Sequence, residues 1–342
     1  MSAIVFAHRN EAPHVYSEGY LAGIEPVFGQ LQAAGIEVVQ TSNAEAAFTD
    51  QNVIGLTHNQ GERNQRSLPH EQVGGIVNVL HRNVKLELLP ESQRAPWINQ
   101  NNVRTLGYHK QMMHDQVLLP LGLGIPTVLA DSKPAVESFL AQQSTDSFIA
   151  KLNRGAGTNS TQILDRQQIN AELTSQEWQE KPRVLQPAFD FTRPFPNSIR
   201  AYDTTAQENF NTFSNGDTVK EMRMYCFQAL GETAVFPVGR NMGEGPNWFF
   251  VDPESLPEKL AEETARIATQ VGAVTDTKSL YSAVDFGYGA MGSEDADWHV
   301  IEGNIRSPHM ILEKAHAGVA MVLRKLFAEQ LIITADQANK SV

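Results

Sequence analysis

Short apolar runs separated by amphipathic stretches set the rhythm of the first 95 or so residues. Ala3 to Ala7 reads as a buried strand, Tyr20 to Ala34 carries a helical spacing of apolar positions, Gly35 stops it, and Ile36 to Val39 is extended again. Gly74 to Leu80 adds another buried strand. This β-α-β alternation predicts a parallel sheet with crossover helices. His8, Arg9 and Asn10 follow the first strand, where open parallel sheets place their ligand loops; a solvated loop is the plainer alternative.

Pro96 and the Asn99 to Asn102 run mark a boundary. Beyond it, Met112, Met113, Gln116, Val117 and Leu119 form a helical stripe that ends at Gly122, Gly124 and Pro126, with Lys110 near the helix start. From Phe148 to Leu164 an apolar strand ends in Lys151, a loop carries Gly155 and Gly157, and a second strand follows. Glycines let backbone N–H groups cradle an anion and a neighbouring lysine supplies charge, although a polar hairpin loop would look the same. The loop matches neither the dinucleotide fingerprint nor the Walker A pattern.

Helical spacing from Gln167 to Glu180 gives way to a strand from Arg183, with Gln186 at its close and Pro187 and Ala188 beyond. Val219 to Arg240 reads as two strands turning at Gly231 and Glu232, with Arg223 on the first and Arg240 at the end of the second. Such arginines serve either as surface partners of carboxylates or as phosphate ligands. Asp252 and Pro253 signal a helix start, with Leu256, Leu260, Ile267, Ala268 and Val271 on one face up to Gly272. A last helix runs from Leu312 to about Thr334, and Gln337 to Val342 is expected to fray.

The richest chemistry lies between Trp298 and Met310. His299 to Ile301 reads as a short strand running straight into Glu302, Gly303 and Asn304. On an extended segment Glu302 and Asn304 point the same way, since side chains repeat with period two. Asp285, at the end of a strand from Tyr281, would lie beside them if Gly289 to Asp297 is a hairpin loop. Three oxygen-bearing side chains on adjacent strands suit Mg²⁺, with Mn²⁺ as an alternative; an acidic strand end facing water is the competing reading.

Composition narrows the setting. The chain has 342 residues, 41% hydrophobic and 19% charged, enough for two or three packed units. The single cysteine, Cys226, excludes an internal disulfide or a multi-cysteine metal site, sits in an apolar run, and fits a reducing, cytoplasmic setting. No apolar run has membrane-spanning length, so no membrane partner is expected. A formal charge of −12 argues against nucleic acid as a partner but not against one small polyanion in a basic pocket.

Taken in order, Lys110, the Lys151 strand with its glycine loop, Gln186, Arg223, Arg240, Asp285 and Glu302-Gly303-Asn304 resemble the ATP-grasp superfamily, and within it bacterial glutathione synthetase and RimK-like ligases. The most specific match is Ile301-Glu-Gly-Asn-Ile-Arg-Ser-Pro308, similar to the pattern Glu-x-Asn-x-x-Ser-Pro and followed by Glu313. The resemblance covers about Lys110 to Leu326. It implies an α/β ATP-grasp fold: an N-terminal pre-ATP-grasp domain over 1–100, a small subdomain with the phosphate loop over 101–185, and a C-terminal subdomain with the metal site over 186–342.

The resemblance also implies roles. Lys110 and Lys151 would hold the α- and β-phosphates of ATP, the Gly155 to Ser160 loop would close over the triphosphate, and Gln186 with the Ala188 backbone would read adenine. Asp285, Glu302 and Asn304 would hold Mg²⁺, and Arg223 and Arg240 would neutralise the transferred phosphoryl group. Pro187, Gly303 and the absence of an arginine shortly after Arg240 depart from the pattern. The implied enzyme is a carboxylate–amine ligase that forms an acyl phosphate and releases ADP and phosphate. Its partners would be a small carboxylate and an amine, such as an amino acid or short peptide, met by loops at Arg9 to Tyr16, Gln60 to Pro69 and Asp190 to Asp203. A nucleotide-binding protein without turnover and a small-molecule kinase are the alternatives, and a homo-oligomer is left open.

Overall fold

The computed structural model describes residues 3–7, 25–41, 52–59, 62–78, 97–98, 101–154, 161–188, 195–196, 198–202, 220–229, 231–241, 247–290, 295–305 and 317–340. The sequence reading of residues 8–10, of the 155–160 loop and of Glu313 lies outside these.

Strands in chain order are β1 (Ala3–Ala7), β2 (Glu37–Thr41), β3 (Asn52–Asn59), β4 (Glu62–Pro69), β5 (Val73–Asn78), β6 (Trp97–Ile98), β7 (Val128–Leu129) and β8 (Ser147–Leu152). They continue with β9 (Thr161–Asp165), β10 (Arg183–Pro187), β11 (Ala201–Tyr202), β12 (Lys220–Ala229), β13 (Glu232–Asn241), β14 (Asn247–Val251), β15 (Ser279–Gly289) and β16 (Asp297–Asn304). Two sheets result. One has the order β11-β14-β13-β12-β15-β6-β5-β1-β2-β3-β4, with β16 on β15; the other is β7-β10-β8-β9.

The β-α-β expectation holds for β1, a helix over residues 25–33, and β2, which pairs parallel with β1. β5 flanks β1 on its other side, also parallel. Gly35, with φ +77°, supplies the left-handed turn that ends the helix. The Gln60 to Pro69 stretch, expected as a substrate loop, is instead mostly strand β4 in a hairpin with β3. Its polar sequence hid it because β4 ends the sheet order: Gln65, Arg66 and Ser67 face water, while Leu68 is wholly buried.

The boundary near residue 100 is not a break in hydrogen bonding. β6 pairs parallel with β5 on one side and touches β15 at Ser279↔Ile98 on the other, so the large sheet is continuous across it. A helix begins at Asn101, well before the start near Lys110 that the methionine stripe suggested. It is followed by Lys110–Met113 and by a wider π turn over His114–Leu118.

The large sheet has two buried faces. On one, the Ala317–Lys340 helix lays Leu323, Phe327 and Leu331 against Ile4 and Phe6 of the parallel part and against Tyr225, Phe227 and Tyr281 of the antiparallel part. On the other, the Glu258–Thr275 helix packs Leu260, Ile267 and Val271 against Met222, Met224, Phe286 and Val300. The small sheet is backed by the Lys133–Gln142, Arg166–Glu172 and Gln176–Glu180 helices through Phe139, Ile169 and Trp178. The region expected as one helix from Gln167 is split between the last two, because Asp165 and Ser175 each cap a separate start.

Three helix boundaries differ from expectation. Asp252 does cap a turn, but of three residues, Pro253–Ser255, and the long helix starts at Glu258. That helix passes Gly272 and ends at Thr275, because Asp276 turns left-handed at φ +52° and Thr277 N–H bonds back to the Gly272 carbonyl at 2.9 Å. Gly272 is a glycine for that close approach: a Cβ there would sit 2.9 Å from the Thr277 oxygen. The last helix continues to Lys340 where fraying was expected.

A glycine would adopt the Asp276 conformation without steric strain. Asp276→Gly is therefore expected to raise stability by about 0.5–1 kcal/mol. A higher guanidinium midpoint at unchanged slope is the readout; an unchanged or lower midpoint would refute the strain at this cap.

Candidate functional site

The face of the large sheet that is apolar under the last helix turns charged toward one end. Along β12 the side chains on that face are Phe227, Tyr225, Arg223 and Glu221; along β15 they are Tyr281, Ala283 and Asp285. Register sets Arg223 opposite Asp285, and Asp285 opposite Glu302 of β16, with Asn304 opposite Ala283. The alternation that the sequence predicted for Glu302 and Asn304 is therefore realised, and both share a face with Asp285.

A bulge makes this happen. Val300 pairs with Phe286 and is buried on the opposite face of the sheet, so an unbroken strand would carry Glu302 into that core. Ile301 is the extra residue between the Phe286↔Val300 and Asp285↔Glu302 pairs, and it rotates Glu302 to the charged face. The strand from His299 thus does not run straight into Glu302. The bulge also presents the Ile301 carbonyl to Lys151, whose Nζ lies 3.5 Å away.

Arg223 grips Asp285 with two parallel bonds, Nε to Oδ1 at 2.6 Å and a terminal nitrogen to Oδ2 at 2.7 Å, and Asn304 Nδ2 donates to Oδ2 at 2.7 Å. Arg223 is 7% exposed and Asp285 1%. Burial opposes the guanidinium charge, but the Asp285 carboxylate outweighs it by charge and hydrogen bond and raises the Arg223 pKa well above its ordinary value.

The second wall comes from the small sheet and the helix before it. Lys151 on β8 is 8% exposed, and burial lowers its pKa; Glu302 opposes that shift, Lys110 adds to it, and Glu221 and Asp285 oppose it. Lys110 Nζ lies 2.7 Å from Glu302 Oε1. Its backbone N–H bonds to the Asn153 carbonyl at 3.0 Å and the Gln111 N–H to Asn153 Oδ1 at 3.0 Å, so the helix start is fastened to the end of β8. Lys110, Lys151, Gln186, Thr127, Ile301, Glu302 and Gly303 line one cavity of about 30 Å³. That volume holds a couple of waters, so a larger ligand requires the two walls to part.

Gln186 Nε2 donates to Thr127 Oγ1 at 2.9 Å, which leaves Oε1 as the acceptor of that side chain. The Ala188 N–H donates to the Ser147 carbonyl at 2.9 Å. That donor is spent on extending the β8–β10 pairing, so of the Ala188 backbone the carbonyl is the group left for a ligand. Arg240 stands at the register position opposite Glu221 on β12 and Trp248 on β14, one strand further out than Arg223. Gly155 and Gly157 lie outside the described residues.

Some residues escaped the sequence reading. Glu221 shares the Arg223 face and acts electrostatically on Lys151 and Arg223; the Glu-x-Arg alternation on a strand was the available signal. His114 lines the cavity, with Nδ1 2.9 Å from Asp115 Oδ1 and no hydrogen-bond partner at Nε2 among the described residues. Gly124 packs on its ring so closely that a side chain there would collide. At Gly303, the other departure, a Cβ would meet the Met113 methyl group, the far end of a side chain that can shift.

The donor set fits a hard divalent cation. Glu302, Asp285 and the Asn304 carbonyl oxygen are oxygen ligands on one face, the chemistry Mg²⁺ takes. Among the described residues no cluster of three His, Cys, Asp or Glu occurs, so such an ion would rest on two carboxylates and an amide. Cys226, two residues along β12 from Met224, takes no part; burial raises its thiol to about 12.

Arg223→Met would leave Asp285 buried beside an apolar chain and is expected to cost about 3–5 kcal/mol of stability. Replacing both in Arg223→Met/Asp285→Leu is expected to recover most of that loss, as chemical denaturation would show. A double variant no more stable than the single one would mean that the carboxylate has partners that compensate for the arginine.

No protein-family model and no curated protein matches this sequence. Solved structures do match it. A RiPP-associated ATP-grasp ligase from Chryseobacterium gregarium, in complex with ADP and a leader and core peptide, aligns at TM-score 0.58 with 13% identity, covering 97% of this chain and 96% of that one. Macrocyclase MdnC from Microcystis aeruginosa, bound with precursor peptide MdnA, aligns at 0.56 with 14% identity over 96% and 99% of the two chains. D-alanine–D-alanine ligase from Bacillus anthracis, complexed with ATP, aligns at 0.56 with 13% identity over 100% and 99%. At such identities the likeness is one of architecture, and it spans both chains almost end to end: the protein has the ATP-grasp fold, as the order of its motifs led one to expect.

Proposed function

We propose that the chain is an ATP-dependent ligase that joins a carboxylate to an amine through an acyl phosphate, releasing ADP and phosphate. The observation that carries this reading is the meeting of Lys110, Lys151 and Glu302 in one cavity beside the buried Arg223–Asp285 pair and the half-buried Asn304. Cations from one wall and oxygen ligands from the other are what a triphosphate with its divalent ion needs, and that pairing is absent from an ordinary acidic strand end.

The nucleotide would lie between residues 101–185 and 186–342, with residues 1–100 contributing to the acceptor side. Lys110 and Lys151 contact the α- and β-phosphates, residues 155–160 cover them, and Gln186 Oε1 with the Ala188 carbonyl accepts from the adenine amino group. Arg223 and Arg240 would neutralise the γ-phosphoryl group. Mg²⁺ held by Asp285, Glu302 and Asn304 would offset charge at the β–γ bridge. Arg223, already locked by Asp285, contributes a fixed positive field that costs no reorganisation during transfer.

In the first step a substrate carboxylate oxygen bonds to the γ-phosphorus and the bond to the β–γ bridging oxygen breaks, giving an acyl phosphate and ADP. In the second the amine nitrogen bonds to the acyl carbon, the C–O bond to phosphate breaks, and the amine gives up a proton. The acyl phosphate must meet the amine before water, which gives the 155–160 loop its work. Solved neighbours that are D-alanine–D-alanine ligases, or that are bound to peptides, support an amino acid or peptide as a substrate. With the fully buried Cys226 as the single thiol, a reducing compartment such as the cytoplasm suits the chain.

Saturating Mg·ATP, at a hundred times its dissociation constant, is expected to stabilise the protein by about 2.7 kcal/mol. Amino acids and short peptides screened for ADP release identify the carboxylate, and with hydroxylamine in place of the amine that carboxylate is expected to yield its hydroxamate together with ADP. AMP and pyrophosphate would overturn the γ-transfer mechanism, and a stable phosphorylated product resistant to hydroxylamine would make the protein a kinase. Glu302→Gln is expected to lower turnover at least ~100-fold at an unchanged melting temperature; wild-type turnover would make Glu302 structural.

A further inference from the structure

Glu302 and Asp285, the two carboxylates of the same cation site, are held in different ways. Asp285 is buried and clamped through both oxygens by Arg223, with Asn304 added. Glu302 is bonded through Oε1 to Lys110, and the side chains of that pair are 35% and 16% exposed at the cavity wall. Arg223 is locked in the sheet, whereas Lys110 carries its charge on a long flexible stem from the opposite wall. Among the described residues the two carboxylates and Glu221 are matched by Lys110, Lys151 and Arg223, so the two walls together offer a bare divalent cation no surplus of negative charge from these groups.

We propose that Lys110 is a stand-in cation for Glu302: it occupies the carboxylate of the nucleotide-free protein and yields it only when a polyphosphate draws the ammonium away. The metal then enters with the triphosphate and does not bind ahead of it. This inference rests on the nucleotide-binding reading above and adds an order to it. The geometry supplies the means, since Lys110 faces both ligands. Its Nζ reaches Glu302, its place beside Lys151 puts it on the cationic wall, and its helix start is bonded through Asn153 to the strand end from which the 155–160 segment departs. A triphosphate between the walls competes with one carboxylate for that ammonium and offers more negative charge.

The test uses Mn²⁺ alone as the probe, counted by the loss of the free-ion electron paramagnetic resonance signal, with the full chain and no nucleotide. The wild type is expected to take up no Mn²⁺ below the millimolar range. Lys110→Met and Lys110→Gln, each shown by circular dichroism and melting to be folded, are expected to bind one Mn²⁺ at least tenfold more tightly than the wild type. Lys110→Arg is expected to stay like the wild type, and Lys110→Met/Glu302→Gln to lose the gain. Equal Mn²⁺ binding by the wild type and both neutral variants would overturn the proposal, as would a gain that survives Glu302→Gln. Thermal stabilisation of the wild type by Mg·ATP separates the two levels. Stabilisation without the Mn²⁺ gain removes the stand-in role alone, and its absence in folded protein removes the nucleotide reading.

Discussion

Everything at the candidate site depends on one ion pair placed where an apolar sheet face gives out. Tyr225, Phe227, Tyr281 and Ala283 continue the core under the last helix, and the next step along β12 and β15 is Arg223 against Asp285. Neither charge would be tolerated there alone, because removal from water costs several kcal/mol per ion. Together, with two parallel hydrogen bonds and the Asn304 amide, they fix the end of the sheet as a rigid polar ledge. The pair is a weak source of stability, since an apolar pair of equal volume would hold the strands as well.

From that ledge the remaining groups differ in how firmly they are held. Asp285 and Arg223 are buried and doubly bonded, Lys151 is buried on the facing strand, and Lys110 and Glu302 meet at the more open edge of the cavity. Burial and bonding therefore slacken from the sheet toward the gap between the walls. A site that must admit a ligand larger than its resting volume needs that gradient, because the groups that stabilise charge should stay fixed while the groups that admit the ligand move.

Much of this was legible in the sequence because it rests on local patterns. The two-residue spacing of Glu302 and Asn304, the strand that ends at Lys151, the hairpin turning at Gly231 and the first β-α-β unit are all set by periodicity and turn residues within short windows. What escaped depends on partners distant in the chain. The Ile301 bulge exists because β15 sets one register for Phe286 and another for Asp285, and no pattern inside β16 announces it. The β3–β4 hairpin was hidden by the polarity of an edge strand, and the Ala188 amide was lost to Ser147, 41 positions earlier. Helix ends moved for a related reason: a cap residue shows where a turn can begin, whereas the length of the helix follows the core it covers.

The two-residue strand Trp97–Ile98 has a consequence for how such a chain can change over time. It stitches the parallel strands to β15, while Phe6 and Ile4 share one aromatic and aliphatic layer with Tyr281 and Phe327. An exchange of the first hundred residues with those of a distant relative would import a foreign half of that layer and expose the mismatch along Phe227 and Tyr281. This part of the chain should accordingly change by drift of single residues more readily than by recombination at the sequence boundary, even though that boundary looks like a natural place to cut.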